Sequence, residues 1–184
     1  MIRIGIDLDG TLSESIENIL SPSELEKFRG IYNKIRIREP KIIRGRIIGF
    51  VIHKFFDYKW KHWKKVKMLS DDIPEIIEKL SKITKILIIT STSGKREYVE
   101  NWLKNNRIIY DDIIFAPPNE KWKYCDILVD DRFDVIFEAV KSGIIGILLS
   151  KKEKANHNGS LIIANSWEDI FKIIVSINQK MITS

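Results

Sequence analysis

The chain has 184 residues, a formal net charge of +6, 44% hydrophobic and 30% charged residues, and one cysteine, Cys125. That length suits one domain with room for an inserted subdomain, and the apolar content excludes global disorder. One cysteine excludes an internal disulfide and a cysteine-based zinc cluster, and no apolar run reaches the ~18–20 residues of a membrane span.

The first predicted element is a strand over residues 2–8, within Ile4-Gly5-Ile6-Asp7-Leu8-Asp9-Gly10-Thr11-Leu12. It runs directly into two carboxylates one residue apart. Unpaired charge at the end of a buried strand is unfavourable unless a partner or a cation offsets it.

Residues 13–69 follow a different pattern. Ser21-Pro22-Ser23-Glu24 reads as a helix start, and Lys34, Arg36, Arg38, Lys41, Arg44 and Arg46 then crowd one stretch. Residues 55–65 interleave aromatic and basic side chains. We expect a mostly helical cap here, with residues 1–12 and 70–184 as the core. Phe56, Trp60 and Trp63 recur at i, i+4, i+7. That spacing fits a core-facing stripe with the lysines solvated. It also fits a surface that stacks a base and attracts phosphate.

Ser70-Asp71-Asp72-Ile73-Pro74-Glu75 combines acidic capping residues with a first-turn proline, and Ile73, Ile76, Ile77 and Leu80 then form one apolar stripe. A strand follows over 85–90. A helix over 95–106 carries Tyr98, Val99, Trp102 and Leu103, and a strand spans 113–116. After a short connection comes a strand over 126–130, a helix over 133–141 ended by Gly143, a strand over 144–149 and a helix over 167–177. The strands are short, apolar and not strictly alternating, as strands buried on both faces are. Alternation of strand and helix predicts an α/β fold, a doubly wound parallel sheet of five strands with right-handed crossovers.

In such sheets ligands sit beyond the carboxyl ends of the strands. Asp7, Thr90 and Asp130 each fall at such an end. Asp7 and Asp9 would meet Asp130 and Asp131 there, and a hard divalent cation, Mg²⁺, relieves their repulsion. A carboxylate can attack phosphorus, and a second can protonate the leaving oxygen and then deprotonate water. Gly10 permits a tight turn that aims backbone N–H groups inward. Thr90 and Ser91 can hydrogen-bond phosphate oxygens. Lys121 can supply positive charge to a transferring phosphoryl group.

Asp7-Leu8-Asp9-Gly10-Thr11-Leu12 resembles the first motif of the haloacid dehalogenase superfamily of aspartyl-phosphate phosphatases. Ile88-Ile89-Thr90-Ser91 resembles the second, Lys121 the third, and Ile127-Leu128-Val129-Asp130-Asp131 the fourth. Lys123 competes for the third-motif role that the resemblance implies, and the spacing to Asp130 favours Lys121. The resemblance covers residues 1–12 and about 70–150 and leaves the cap out. It implies Asp7 as nucleophile and metal ligand. Asp9 would be the general acid/base, ligating metal through its carbonyl. Thr90 would hold the phosphoryl group, with Ser91 and Gly10 beside it. Lys121 would steady Asp7 and the phosphate, and Asp130 and Asp131 would complete the Mg²⁺ site. Acidic residues at both Asp7 and Asp9 favour phosphatase over dehalogenase chemistry.

Thr90-Ser91, the run from Cys125 to Arg132 and a cap inserted after the first motif resemble the 5′(3′)-deoxyribonucleotidases. The substrate expected from that likeness is a nucleoside monophosphate. A sugar phosphate or a nucleic-acid 3′-phosphate would suit the same chemistry. The basic cap also raises a reading of another class, a nucleic-acid-binding module on a phosphatase core. His53, His62 and His157 have no metal-ligand spacing among themselves. The partner expected is a small phosphorylated molecule and not a membrane. With no basic-then-apolar leader before the first strand, the expected location is the cytoplasm.

Overall fold

Arg3–Ile6 (β1) is an inner strand, third from one edge, of a seven-stranded sheet in a computed structural model of the chain. The structure describes residues 1–14, 26, 59–92, 95–150 and 156–182. They belong to two compact units. One comprises Met1–Ser13, Met68–Ser91 and Leu103–Ser184, the other Glu14–Lys67 and Thr92–Trp102. Among the described residues no helix is long and apolar enough to cross a membrane.

The first unit holds the sheet. After β1 come α1 (Ile73–Ser81), β2 (Lys85–Thr90), and α2 (Arg96–Asn105), whose last turn joins this unit. Then follow β3 (Asp112–Phe115), a 3₁₀ helix (Pro118–Tyr124), β4 (Ile127–Asp130) and α3 (Phe133–Lys141). The chain continues through β5 (Ile145–Leu149), β6 (Asn156–Asn158), β7 (Leu161–Ala164) and α4 (Trp167–Ile182). The strand order is β3-β2-β1-β4-β5-β7-β6, with six strands parallel and β6 antiparallel to β7.

The α/β class and parallel core match the expectation, but the sheet is larger than five strands. Leu161–Ala164 is a four-residue apolar run, too short to signal a strand by periodicity. The turn before it was the available signal: the two-residue loop Gly159-Ser160 closes the hairpin, with Gly159 at φ +63.

Local chemistry explains the helices. Pro74 occupies the first turn of α1, and the stripe Ile73, Ile76, Ile77 and Leu80 is wholly buried. Asp72 sits at the cap position without capping through its side chain. Val135, Ile136 and Ala139 of α3 pack on Ile89, Leu128 and Leu148 of the sheet, while Ile4, Ile6, Ile86 and Ile88 are buried as well. Both faces are therefore covered, and the strands read as continuous apolar runs.

Gly5 marks a close approach within β1. A Cβ there would stand 2.8 Å from Cys125 Sγ. Burial pushes the Cys125 thiol up to about 12, so it behaves as a small apolar residue.

In the second unit, Trp60 and Trp102 meet edge to face, centroids 5.9 Å apart at 86°. Trp102 Nε1 donates to the Val66 carbonyl at 2.9 Å, and Lys59 Nζ donates to the Glu14 carbonyl at 2.7 Å. Trp60 is fully buried, with Trp102 against it edge to face, as the core-facing stripe would have it. Trp63 opens a short 3₁₀ turn, Trp63–Lys65, and is half-buried. Phe56, His53, the basic run 34–46 and most of the expected cap lie outside the described residues.

Candidate active site

β1 and β4 are neighbours and run parallel, so their carboxyl ends share one edge of the sheet. The order changes direction here, since β2 lies on one side of β1 and β4 on the other. This is the switch point at which open α/β sheets bind ligands. The Asp7 N–H donates to the Val129 carbonyl at 2.9 Å, which extends the ladder and brings Asp7 level with the end of β4.

Three side chains meet there. Lys121 Nζ lies 2.7 Å from Asp7 Oδ1 and 2.7 Å from Asp130 Oδ2. All three side chains are buried, Lys121 at 2% exposure. Asp131 joins them at the surface, and Asp7, Asp130 and Asp131 each offer a carboxylate oxygen within 4.8 Å of the others. The Arg132 N–H donates to Asp130 Oδ1 at 2.9 Å and fixes that carboxylate's second oxygen.

The electrostatics follow from this geometry. Burial, and next the charge of Asp130, push the Asp7 carboxyl well above its ordinary value, and Lys121 only partly opposes them. Burial disfavours the charge on Lys121, but Asp7 and Asp130 outweigh it and raise its pKa. Asp131 is pushed up to about 6, by desolvation first and by Asp130 second. Arg132 is held more basic by its hydrogen bond to Asp134, with smaller help from Asp130 and Asp7. Three carboxylates thus face one ammonium, an arrangement short of positive charge.

The loop after β1 is pinned from several sides. Gly10 N–H donates to the Ser13 carbonyl at 2.9 Å and Ser13 Oγ to the Leu8 carbonyl at 3.0 Å. Trp167 Nε1 donates to the Thr11 carbonyl at 3.2 Å. Gly10 has φ +92, a conformation that favours glycine, and a Cβ there would stand 2.6 Å from Asp131 Cγ. Gly10→Ala is therefore expected to lose about 1–3 kcal/mol. Thermal denaturation would show a midpoint lower by ~2 °C or more, while an unchanged midpoint would mean that the turn relaxes freely.

The other residues singled out from sequence are placed as follows. Asp9 is half-buried on the loop, and its charge raises Asp7 further; its side chain is not among the three clustered carboxylates. Thr90 ends β2 beside β1 and is buried, and its carbonyl accepts the Ala116 N–H at 3.0 Å. Ser91 is exposed. Lys123 is exposed and pairs with Glu120 at 3.2 Å, so it is Lys121 that meets the carboxylates. Sequence reasoning missed two supporting residues, Arg132 and Trp167. The Arg132 contact is only two residues long and could have been suspected from the strand end; the Trp167 contact spans 156 residues and carries no local signal.

The fold places the chain among known structures. A solved haloacid dehalogenase-like hydrolase from Streptococcus pneumoniae superposes with a TM-score of 0.60 at 17% identity, covering 95% of this chain and 98% of its own. The fold is that of the haloacid dehalogenase-like hydrolases. A phosphatase of this kind from Thermococcus onnurineus gives a TM-score of 0.59 at 17% identity, covering 95% and 98% of the two chains. Solved dehalogenases match as well. In sequence the chain is similar to a curated nucleotidase of Clostridium acetobutylicum, 22% identical over 194 residues, covering 97% of this chain and 96% of the relative. No protein-family model matches the chain. The haloacid dehalogenase-like core thus carries a nucleotidase-like similarity along nearly its whole length.

Proposed function

We propose that this protein is a Mg²⁺-dependent phosphatase that hydrolyses a nucleoside monophosphate through a phosphorylated Asp7. The observation that carries the reading is the Lys121 ammonium held at 2.7 Å by both Asp7 and Asp130, with Asp131 beside them. Lys121 takes Asp7 Oδ1, so Oδ2 is the oxygen we assign to attack. In the first step Asp7 Oδ2 bonds to phosphorus, the ester P–O bond breaks, and Asp9 protonates the departing alkoxide. In the second step water attacks phosphorus, Asp9 takes its proton, and the bond to Asp7 breaks. Lys121 and the donors at Thr90, Ser91 and the Gly10 turn would hold the phosphoryl oxygens.

The carboxylates fit a magnesium ion. All are hard oxygen donors, they are close together, and they exceed the positive charge available from Lys121. Asp7, Asp130 and Asp131 would hold it, with the Asp9 carbonyl in the role the resemblance implies. When bound, it neutralises charge on the phosphoryl group.

Phosphatase chemistry is favoured over dehalogenation by the proton balance. An alkoxide leaving group needs a proton and Asp9 can give one, whereas a halide needs none. The nucleotide preference rests on the similarity to the Clostridium acetobutylicum nucleotidase. The decisive test is phosphate release from the ribo- and deoxyribonucleoside monophosphates, several sugar phosphates and a 3′-phosphorylated oligonucleotide, each with Mg²⁺ and with chelator. Metal-dependent release, highest from mononucleotides, is the expected result. Release only from sugars or oligonucleotides would overturn the substrate, and halide release from a 2-haloacid without phosphate release would overturn the chemistry.

A further inference from the structure

We propose that a groove along α3 binds a planar aromatic leaving group, the base of a nucleotide, stacked on Phe133. The proposal rests on the phosphate-monoester reading above and names where the rest of the substrate goes. The groove has a volume of about 400 Å³, and Pro118, Asn119, Arg132, Phe133 and Phe137 are among the residues that line it. That is enough room for a nucleoside-sized group.

Two phenyl rings form its floor. Phe133 is 51% and Phe137 43% exposed, their centroids are 5.7 Å apart, and their planes differ by 18°. Neither is needed for the core, because Val135, Ile136 and Ala139 already supply the buried face of α3. Lys141 Nζ lies 4.6 Å from the centre of the Phe137 ring. Residues 133, 137 and 141 are spaced i, i+4, i+8, so they make one row along the helix. Lys141 closes the row at its carboxyl end. At the amino end, among the described residues, no ring or cation stacks on the outer face of Phe133. A base placed there would extend the stack by one ring.

The open end of the row is also the end beside the chemistry. Phe133 follows Asp130 by three residues, so their Cα atoms lie within about 11 Å. The Arg132 backbone holds Asp130 at 2.9 Å while its side chain walls the groove, paired with Asp134 at 2.6 Å. Asn119, also in the lining, stands two residues before Lys121 and offers an amide donor and acceptor to a base edge. Groove and carboxylates are therefore joined by the same two short segments of chain.

The test compares KM values with Mg²⁺ for the best of the four nucleoside 5′-monophosphates and for ribose 5-phosphate, which lacks a base. Phe133→Ala is expected to raise the ratio of nucleotide KM to ribose 5-phosphate KM about tenfold, the scale of one base–aromatic stack. Phe133→Trp should restore it. A ratio within about twofold of the wild-type value would overturn the groove while leaving the phosphatase intact. A second arm needs no turnover: calorimetric titration with the matching nucleoside. Binding that weakens about tenfold in Phe133→Ala would support the groove even if no substrate releases phosphate, which would instead defeat the catalytic reading. Equal binding by both proteins, or none by the wild type at millimolar nucleoside, would overturn the groove.

Discussion

Replacing Asp7 by Asn is expected to abolish phosphate release, with kcat lower by roughly 10⁵-fold or more, the scale on which loss of a nucleophile is felt. The substitution keeps the side chain's shape and removes the attacking oxygen's charge. It should leave the fold in place, because the Asp7 carboxylate is disfavoured where it stands by burial and by Asp130. A neutral amide relieves both effects, although it leaves Lys121 with one carboxylate partner instead of two. Rapid quenching with a substrate labelled on phosphorus gives a direct readout. The wild-type chain should carry acid-stable label during turnover, and the Asn variant none. Turnover retained by a folded Asp7→Asn protein would reject the phospho-Asp7 mechanism outright.

Lys121→Met should have the second largest effect, on stability as well as rate. The ammonium is buried between two buried carboxylates at 2.7 Å each, and removing it leaves both without their cation. Breaking a buried charge network this way costs about 3–5 kcal/mol. The loss should depend on pH with a definite sign. A carboxyl whose folded-state pKa lies above its unfolded value holds its proton more tightly when folded. Stability is then greatest at low pH and falls as pH rises from the ordinary value near 3.8 towards the raised one. Lys121 is what lowers Asp7, so its removal moves that pKa further up and extends the fall to higher pH. Urea midpoints measured in chelator across the acid-to-neutral range should diverge, the Met variant losing more with each step up. Parallel pH profiles for the two proteins would show that Lys121 is not the countercharge. Catalysis should fall by roughly 10²–10³ in kcat, as when one charge-stabilising donor is removed.

Much of this site was legible before any fold. Asp7 and Asp130 end strands whose apolar runs are unmistakable, and the βα order says that strand ends converge. The helices of the core were equally plain, because buried stripes such as Ile73, Ile76, Ile77 and Leu80 repeat at the helical period within one short window. β6 and β7 were not, since the four apolar residues of β7 follow a short polar strand and a Gly159-Ser160 turn rather than a helix, outside the strand–helix alternation that marked the other strands. Trp60 was ambiguous for another reason. Helical spacing marks a face but does not say what that face meets, and here it meets Trp102.

The sequence by itself determined the class of fold and the carboxylates at its edge. Those are carried by runs of a few residues whose periodicity and end chemistry are local. Only the tertiary structure decided which lysine meets them. Lys121 and Lys123 lie two apart on one 3₁₀ helix of about three residues per turn, so they leave it in different directions. One turns inward to Asp7, 114 residues away, and the other outward to Glu120. The same holds for Trp167 on Thr11, 156 residues apart. Such contacts depend on which strands lie side by side and on the direction in which each side chain leaves the backbone. Neither is set by any short stretch of sequence; both follow from the packing of the whole sheet.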